Sequence, residues 1–149
     1  MEIDSEPKFL WEDWMSAEQF IGPNTRLRTR PRLNAARWSG NIDAACRVAA
    51  VLADNAAKHG KAFYGNRIWL RLICLDESDD LVIEVDDADP DFPRFDEVAT
   101  TAAVDGKPTG LWWVPHYRGR LSWRVKRNDA DEVIGKTVQV VLPKTWPVD

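Results

Sequence analysis

The sequence predicts an α+β fold, a two-layer sandwich in which helices cover one face of a mixed, mostly antiparallel sheet. Three observations predict this class. An alanine-rich segment over 42–59 has the composition of one long helix. Four segments alternate apolar and polar side chains as half-buried strands do, namely 67–75, 81–85, 121–127 and 136–142. A polar turn within each pair of strands is typical of antiparallel hairpins.

Length and composition indicate one ordinary globular domain. The chain has 149 residues, of which 44% are hydrophobic and 30% charged, and its net charge is −4. An acidic balance without a long basic block does not favour nucleic acid as a partner. No apolar run approaches the roughly 20 residues that span a bilayer, and residues 1–8 lack a signal-peptide pattern. We therefore expect a cytoplasmic protein with no membrane partner.

Composition divides the chain into three parts. Residues 1–34 are an arm rich in tryptophan and arginine, residues 35–143 are the main domain, and residues 144–149 are a tail. The arm contributes little apolar periodicity of its own. The predicted helices and strands of the sandwich therefore all belong to the main domain.

The arm carries two signals that interrupt helices. Residues 16–21 are predicted to form a short helix that stops at a break over 22–24, and Pro31 interrupts a later run of alternating arginines. Trp11 and Trp14 have no evident internal contact, which leaves two interpretations open. The arm is either a loosely docked extension or a segment that binds a partner or forms a dimer.

The main domain begins with a predicted short strand over 33–39. A turn at Gly40 follows, and the Asn41 side chain is predicted to cap the helix over 42–59. Gly60 is predicted to end that helix in a left-handed cap.

A long connection separates the two hairpins. Four aspartates and two prolines between residues 86 and 93 exclude a regular helix or central strand there. Long connections of this kind are often functional, so we expect residues 88–109 to form a lid. A short helix over 110–117, entered through a glycine, is predicted to follow the lid.

One face of the 42–59 helix carries groups that can bind a ligand. Val51, Asn55, Lys58 and His59 are three or four residues apart and therefore point roughly the same way. Mg²⁺ prefers oxygen ligands and keeps several waters, so the Asn55 amide oxygen and bound phosphates can complete its coordination. This face is the predicted place for a metal-bound phosphate.

Four short motifs, taken in order, resemble the ATPase family shared by gyrase, histidine kinases and heat-shock chaperones (GHKL). Residues 54–60 resemble the N box, and residues 85–90 are similar to the first glycine box. Residues 109–111 match the tail of the second glycine box, and residues 135–138 are similar to a segment that helps to bind adenine. The resemblance covers about residues 35–143 and is nearest to small bacterial anti-sigma-factor serine kinases. It implies the histidine-kinase-like ATPase fold.

The resemblance implies a phosphate-binding end in which ATP or ADP is held with Mg²⁺. Asn55 falls on the asparagine that coordinates the metal, and Lys58 and His59 fall beside the phosphates. Gly110 and Leu111 fall where a glycine lets the backbone approach phosphate and a helix begins.

The resemblance also implies an adenine-binding end. Asp87 falls on the carboxylate that accepts a hydrogen bond from the adenine amino group, usually with a water, and Thr137 on the residue that supports that water. A carboxylate acceptor suits an exocyclic amine, so the site is expected to prefer adenine to guanine.

Two positions depart from the family pattern. The catalytic glutamate of relatives lies one helical turn before the asparagine, where this chain has Val51. Valine cannot accept a proton, and general-base catalysis typically contributes about 10²–10⁴-fold. Asp54 is a poor substitute because it lies about 100° around the helix from Asn55. Pro108 replaces the first glycine of the second box and removes an N–H that could bind phosphate.

Three functions remain open at this stage. The first is a regulatory ATP- or ADP-binding protein with weak or no phosphoryl transfer. By analogy its partner would be a transcription regulator, a sigma factor or an antagonist protein, and a homodimer through the arm is a further expectation. The second is an active protein serine/threonine kinase. The third is an interaction domain that has lost nucleotide binding.

Overall fold

The computed structural model describes residues 7–18, 20–93, 95–96 and 110–144. Over these residues the fold is α+β, with three helices and one five-stranded open sheet, which confirms the predicted class at that level. All four pairings between neighbouring strands are antiparallel, whereas the prediction allowed a mixed sheet. No helix in the described ranges is long and apolar enough to cross a membrane.

The elements follow one another in an order close to the predicted one. Their bounds are β1 Phe9–Ser16, α1 Ile21–Ala36, α2 Ile42–His59, β2 Arg67–Cys74, β3 Leu81–Asp87, a 3₁₀ turn Gly110–Trp112, α3 Trp113–His116, β4 Arg120–Arg127 and β5 Val133–Leu142. The strand order across the sheet is β1-β2-β3-β5-β4. The predicted strands over 67–75, 81–85, 121–127 and 136–142 and the short helix after the lid are therefore confirmed, with small changes at their ends.

The N-terminal region differs from the prediction in every element. The predicted helix over 16–21 is wrong, because β1 runs to Ser16 and pairs with β2 along its whole length, and residues 17–18 are not helical. Residue 19 lies outside the description. Helix α1 continues through the predicted break at 22–24 and through the predicted strand over 33–39 as far as Ala36. The described part of the 1–34 arm thus forms an edge strand and most of a helix, while residues 145–149 of the tail lie outside the description.

Helix α1 forms because tertiary packing outweighs its breaker residues. Its buried positions are Ile21, Thr25, Thr29 and Leu33, which repeat every four residues and make one stripe. Two of these four are threonines, so the sequence shows little apolar periodicity. Pro23 lies in the first turn, where a missing N–H costs nothing, and Pro31 is exposed.

Helix α2 covers the sheet with small side chains, as its composition predicts. Its predicted apolar face is confirmed, because Ala49, Leu52, Ala53 and Ala56 are all buried in the main core. The predicted cap is also confirmed, since the Ala44 N–H donates to Asn41 Oδ1 at 3.0 Å.

The predicted left-handed cap at Gly60 is wrong. Gly60 has φ −93° and ψ −156°, which is extended backbone open to any residue. An ideal Cβ at this position would lie 2.5 Å from Asp87 Oδ2. Glycine is therefore required by the close approach of the Asp87 carboxylate and not by a positive φ.

Candidate functional site

The ligand-binding face of α2 opens onto a cavity beside the start of α1. Val51, Asn55, Lys58 and His59 all line it, which confirms that they share a face. The cavity has a volume of about 480 Å³, and its other lining residues are Gly22, Pro23, Arg26, Ala50, Asp54 and Gly110. This size lies within the range of about 300–1,000 Å³ that is usual for small-molecule sites. We call it the α1–α2 cavity.

The α1–α2 cavity has cationic groups on two sides. Lys58 comes from α2, and its Nζ lies 3.0 Å from Asp54 Oδ2 in an ion pair that solvent partly screens. Arg26 comes from α1, and its side chain has no hydrogen bond or ion pair with any residue that the structure describes. Arg26 is not among the predicted site residues, because it follows a predicted helix break.

A second cavity lies on the other side of Asn55, below the segment that follows β3. Its volume is about 380 Å³, and its lining residues are Asn55, His59, Gly60, Asp91, Phe92, Pro93 and Lys136. We call it the Phe92 cavity. Asn55 and His59 line both cavities. The two spaces therefore meet at the asparagine that the sequence analysis placed at the metal.

Asp87 lies one layer behind the Phe92 cavity and is fully buried at the end of β3. Its Oδ1 accepts hydrogen bonds from Lys136 Nζ at 3.0 Å and from the Asp89 N–H at 2.8 Å. Its Oδ2 is buried without a hydrogen-bond partner among the described residues, and it faces Gly60. Burial raises the pKa of Asp87 above the ordinary value, against the opposing effects of the Asp89 N–H and Lys136.

Thr137 does not join Asp87, so this part of the predicted adenine end is wrong. Neighbouring residues of a strand point to opposite faces, and β5 pairs with β3 so that Lys136 is opposite Asp87 and Thr137 opposite Asp86. The Thr137 hydroxyl accordingly donates to Asp86 Oδ1 at 2.6 Å. Lys136 is the β5 side chain that reaches Asp87, and the motif comparison did not select it.

Asp86 belongs to a charged network on the sheet face that α2 does not cover. Its carboxylate accepts two hydrogen bonds from Arg71, at 2.9 and 3.0 Å, and one from Lys126 Nζ at 2.9 Å. Burial alone would raise the pKa of Asp86, but Arg71, Thr137 and Lys126 together hold it below the ordinary value. This network explains how an aspartate can be fully buried in a central strand.

The segment after the lid meets the site through one residue. Gly110 lines the α1–α2 cavity, and its φ of +53° favours glycine. The Leu111 side chain is buried in the core, so only its backbone is available to a ligand. Of the predicted lid over 88–109, residues 94 and 97–109 lie outside the described residues, and Pro108 and Thr109 with them.

The donor atoms fit a hydrated magnesium ion and not a protein-caged metal. Within the described ranges, no group of three or more His, Cys, Asp or Glu side chains could hold a metal ion. Mg²⁺ usually takes one or two protein oxygens and completes its shell with water and phosphate. The Asn55 amide oxygen, at the junction of the two cavities, is the predicted protein ligand.

Comparison of the sequence with protein-family models gives no match, and comparison with curated proteins gives none either. The family resemblance therefore stays a prediction from the four sequence motifs.

Proposed function

We propose that this chain is a regulatory nucleotide-binding domain with the histidine-kinase-like ATPase fold, and that it binds ATP or ADP with Mg²⁺. One observation carries the proposal: Asn55 separates a cavity with cationic walls from a cavity with an aromatic wall. An adenosine phosphate has the same two parts, a polyanionic chain and a flat heteroaromatic base.

The α1–α2 cavity is the proposed phosphate end. Lys58, His59 and Arg26 surround it with N–H donors, and Gly110 leaves its backbone open on the opposite side. The Asn55 amide oxygen would hold Mg²⁺ through one bond. The bound ion would neutralise part of the phosphate charge.

The Phe92 cavity is the proposed base end. Phe92 is buried at 8% exposure and supplies an aromatic wall. Asp87 supplies a buried carboxylate with one oxygen that lacks a hydrogen-bond partner in the described structure. A buried acceptor without a donor costs free energy, about 1–3 kcal/mol, and a ligand amino group would relieve that cost.

Phosphoryl transfer is not favoured by this site. Val51 occupies the position of the general base and lines the cavity with an aliphatic side chain. Asp54 lines the same cavity, but its carboxylate is paired with Lys58. We therefore infer a protein that responds to bound nucleotide without efficient transfer, in preference to an active serine/threonine kinase.

A nucleotide-free interaction domain is the second candidate, and one contact favours it. Lys136 already occupies Oδ1 of Asp87, the carboxylate that would read the base. If this ion pair cannot open to admit a ligand, the chain keeps the proposed fold but binds no nucleotide, and it acts only by contact with other proteins.

The proposed regulation acts through elements that touch the phosphate end. Arg26 places α1 at the cavity, and Gly110 places the end of the lid there. A nucleotide that binds one arrangement of these elements more tightly would shift the population toward it. The partner, by analogy alone, would be a sigma factor, another transcription regulator, an antagonist protein or a second copy of the chain.

Thermal unfolding with and without Mg-ATP tests the proposal. Nucleotide at a hundred times its dissociation constant adds about 2.7 kcal/mol, which corresponds to a rise in Tm of about 5–10 °C for a domain of this size. Asn55→Ala should abolish the rise. Asn34→Ala, an exposed asparagine on α1 away from both cavities, is the matched control and should keep it. No rise for the wild type at millimolar Mg-ATP would leave only the interaction domain.

A further inference from the structure

Lys136 is the charged side chain that lines the Phe92 cavity from the sheet. Its side chain is 4% exposed, and its ammonium lies 5.6 Å from the centre of the Phe92 ring. It comes from β5 directly opposite Asp87, so both side chains are on the face that α2 covers. Lys136 therefore lies beside the buried carboxylate and at the wall of the space proposed for the base.

The hydrogen-bonding capacity of Lys136 is not filled by the protein. An ammonium has three N–H donors. In the described structure the Lys136 ammonium makes two hydrogen bonds, one to Asp87 Oδ1 at 3.0 Å and one to the Asp89 carbonyl oxygen at 3.3 Å. One donor remains at the wall of the cavity. On the aspartate, Oδ2 lies against Gly60 and has no partner at ordinary hydrogen-bond geometry, although the nearby Lys61 N–H also lowers the pKa of the carboxyl group.

We propose that Lys136 is a specificity-determining residue that donates a hydrogen bond to ring nitrogen N1 of adenine. The inference rests on the proposed nucleotide function and deepens it. Adenine presents one acceptor, N1, beside one donor group, the 6-amino group. This edge matches the one donor left on Lys136 and the one acceptor left on Asp87.

Guanine matches the pair less well. Its edge presents one acceptor, O6, and two donors, N1–H and the 2-amino group. Lys136 satisfies the acceptor, but Oδ1 already receives Lys136 and Asp89, so both donors would have to share Oδ2. Their N–H bonds are nearly parallel, and one oxygen cannot lie in line with both. A base donor left buried without an acceptor loses binding free energy. The lysine–aspartate pair therefore selects adenine by the number of its free groups.

Calorimetric titration of the whole chain with nucleotide analogues and Mg²⁺ tests this assignment without a mutation. In 1-deaza-ATP a C–H replaces N1, while 7-deaza-ATP keeps N1 and serves as the control. We expect 1-deaza-ATP to bind about tenfold or more weakly than ATP, because one hydrogen bond to a charged donor is lost. 7-deaza-ATP should bind within about twofold of ATP.

A pair of variants then assigns the effect to Lys136. Lys136→Met keeps the aliphatic stem beside Phe92 and removes the ammonium, so it should bind ATP and 1-deaza-ATP equally. Lys126→Met is the matched control, since Lys126 also binds a β3 aspartate but on the opposite face of the sheet. It should keep the wild-type ratio between the two nucleotides.

Any other result contradicts a specific part of the proposal. Equal binding of ATP and 1-deaza-ATP by the wild type overturns the role of Lys136 while the nucleotide function stands. Tighter ATP binding by Lys136→Met with an unchanged ratio would show that the lysine blocks the site. GTP binding tighter than ATP binding overturns the choice of adenine. No nucleotide binding at all overturns the proposed function and this inference together.

Discussion

Gly60 is the position where the structure makes its sharpest prediction about stability. A methyl group at residue 60 would lie 2.5 Å from Asp87 Oδ2, 2.6 Å from its Cγ and 2.8 Å from the Ala56 carbonyl oxygen. Neither neighbour can move freely, because Asp87 is held by Lys136 and the carbonyl belongs to α2. The neighbours would have to retreat by about half an ångström to reach 3.0 Å.

Overpacking of this kind typically costs about 1–3 kcal/mol. We expect Gly60→Ala to lose at least that amount, because the displaced carboxylate also weakens the buried ion pair with Lys136. The backbone at Gly60 is extended, so no part of the loss comes from a left-handed conformation.

Urea unfolding measures the lost stability of Gly60→Ala as a lower midpoint concentration of urea, with the slope of the unfolding free energy against urea unchanged. Gly22→Ala is the matched control, since its nearest neighbour would be 3.9 Å from the new methyl group and the residue lies in a helix. It should be neutral or stabilising by up to about 1 kcal/mol. Equal stability of Gly60→Ala and Gly22→Ala would refute the reasoning. So would a Gly60→Asn variant as stable as the wild type, because asparagine tolerates a left-handed cap but not the close carboxylate.

Three further predictions concern the charged network, the base position and the sheet edge. The pKa of Asp86 is lower in the folded than in the unfolded protein, so the ionised carboxylate stabilises the fold above the unfolded pKa of about 3.9, and this stabilisation is lost as pH falls. Asp86→Asn should therefore make the free energy of unfolding depend less on pH between pH 7 and pH 2. Val51→Glu should raise phosphate release from ATP by about 10²-fold or more if the base alone is missing. Arg28→Ala should cost about 1 kcal/mol in denaturant unfolding, because Arg28 donates to the Trp14 carbonyl on edge strand β1 and pairs with Asp13.

Each of these has an outcome that contradicts it. An Asp86→Asn variant with the same pH dependence as the wild type would show that other carboxylates control acid unfolding. Absence of any gain from Val51→Glu, in a variant that still binds ATP, would show that more than the base is missing. If Arg28→Ala and the exposed control Arg37→Ala are equally stable, the arginine contact does not hold the edge strand.

The sequence predicted helix α2 and both hairpins because their signals are local. Alanine content, the Asn41 cap and alternation along each strand are properties of neighbouring residues. The lid and the short helix after it followed from prolines and a glycine at fixed positions. The structure bears out α2, both hairpins and the short helix, while most of the predicted lid lies outside the described residues.

Helix α1 escaped prediction because its cause is not local. Pro23 lies in the first turn, where a helix tolerates it, but Pro31 lies inside the helix, and the buried stripe contains Thr25 and Thr29. Contacts with α2 and β1 select the helix over the alternatives that local propensity favours. The same error hid Arg26, which reaches the site only because α1 is continuous.

The register between strands was the second thing that the sequence could not supply. The motif comparison placed Thr137 beside Asp87, and a shift of one residue exchanges the two faces of a strand. The structure puts Lys136 at that place and turns Thr137 toward Asp86. The carboxylate and the helix face with Asn55 could be found from residue types, but the lysine between them required the paired strands.

Titration of the wild-type chain with Mg-ATP, followed by displacement with ADP, tests the central claim most directly. The account predicts saturable binding of one nucleotide per chain, and loss of that binding in Asn55→Ala. No saturable binding at millimolar Mg-ATP would contradict it, and undiminished binding by Asn55→Ala would place the nucleotide elsewhere.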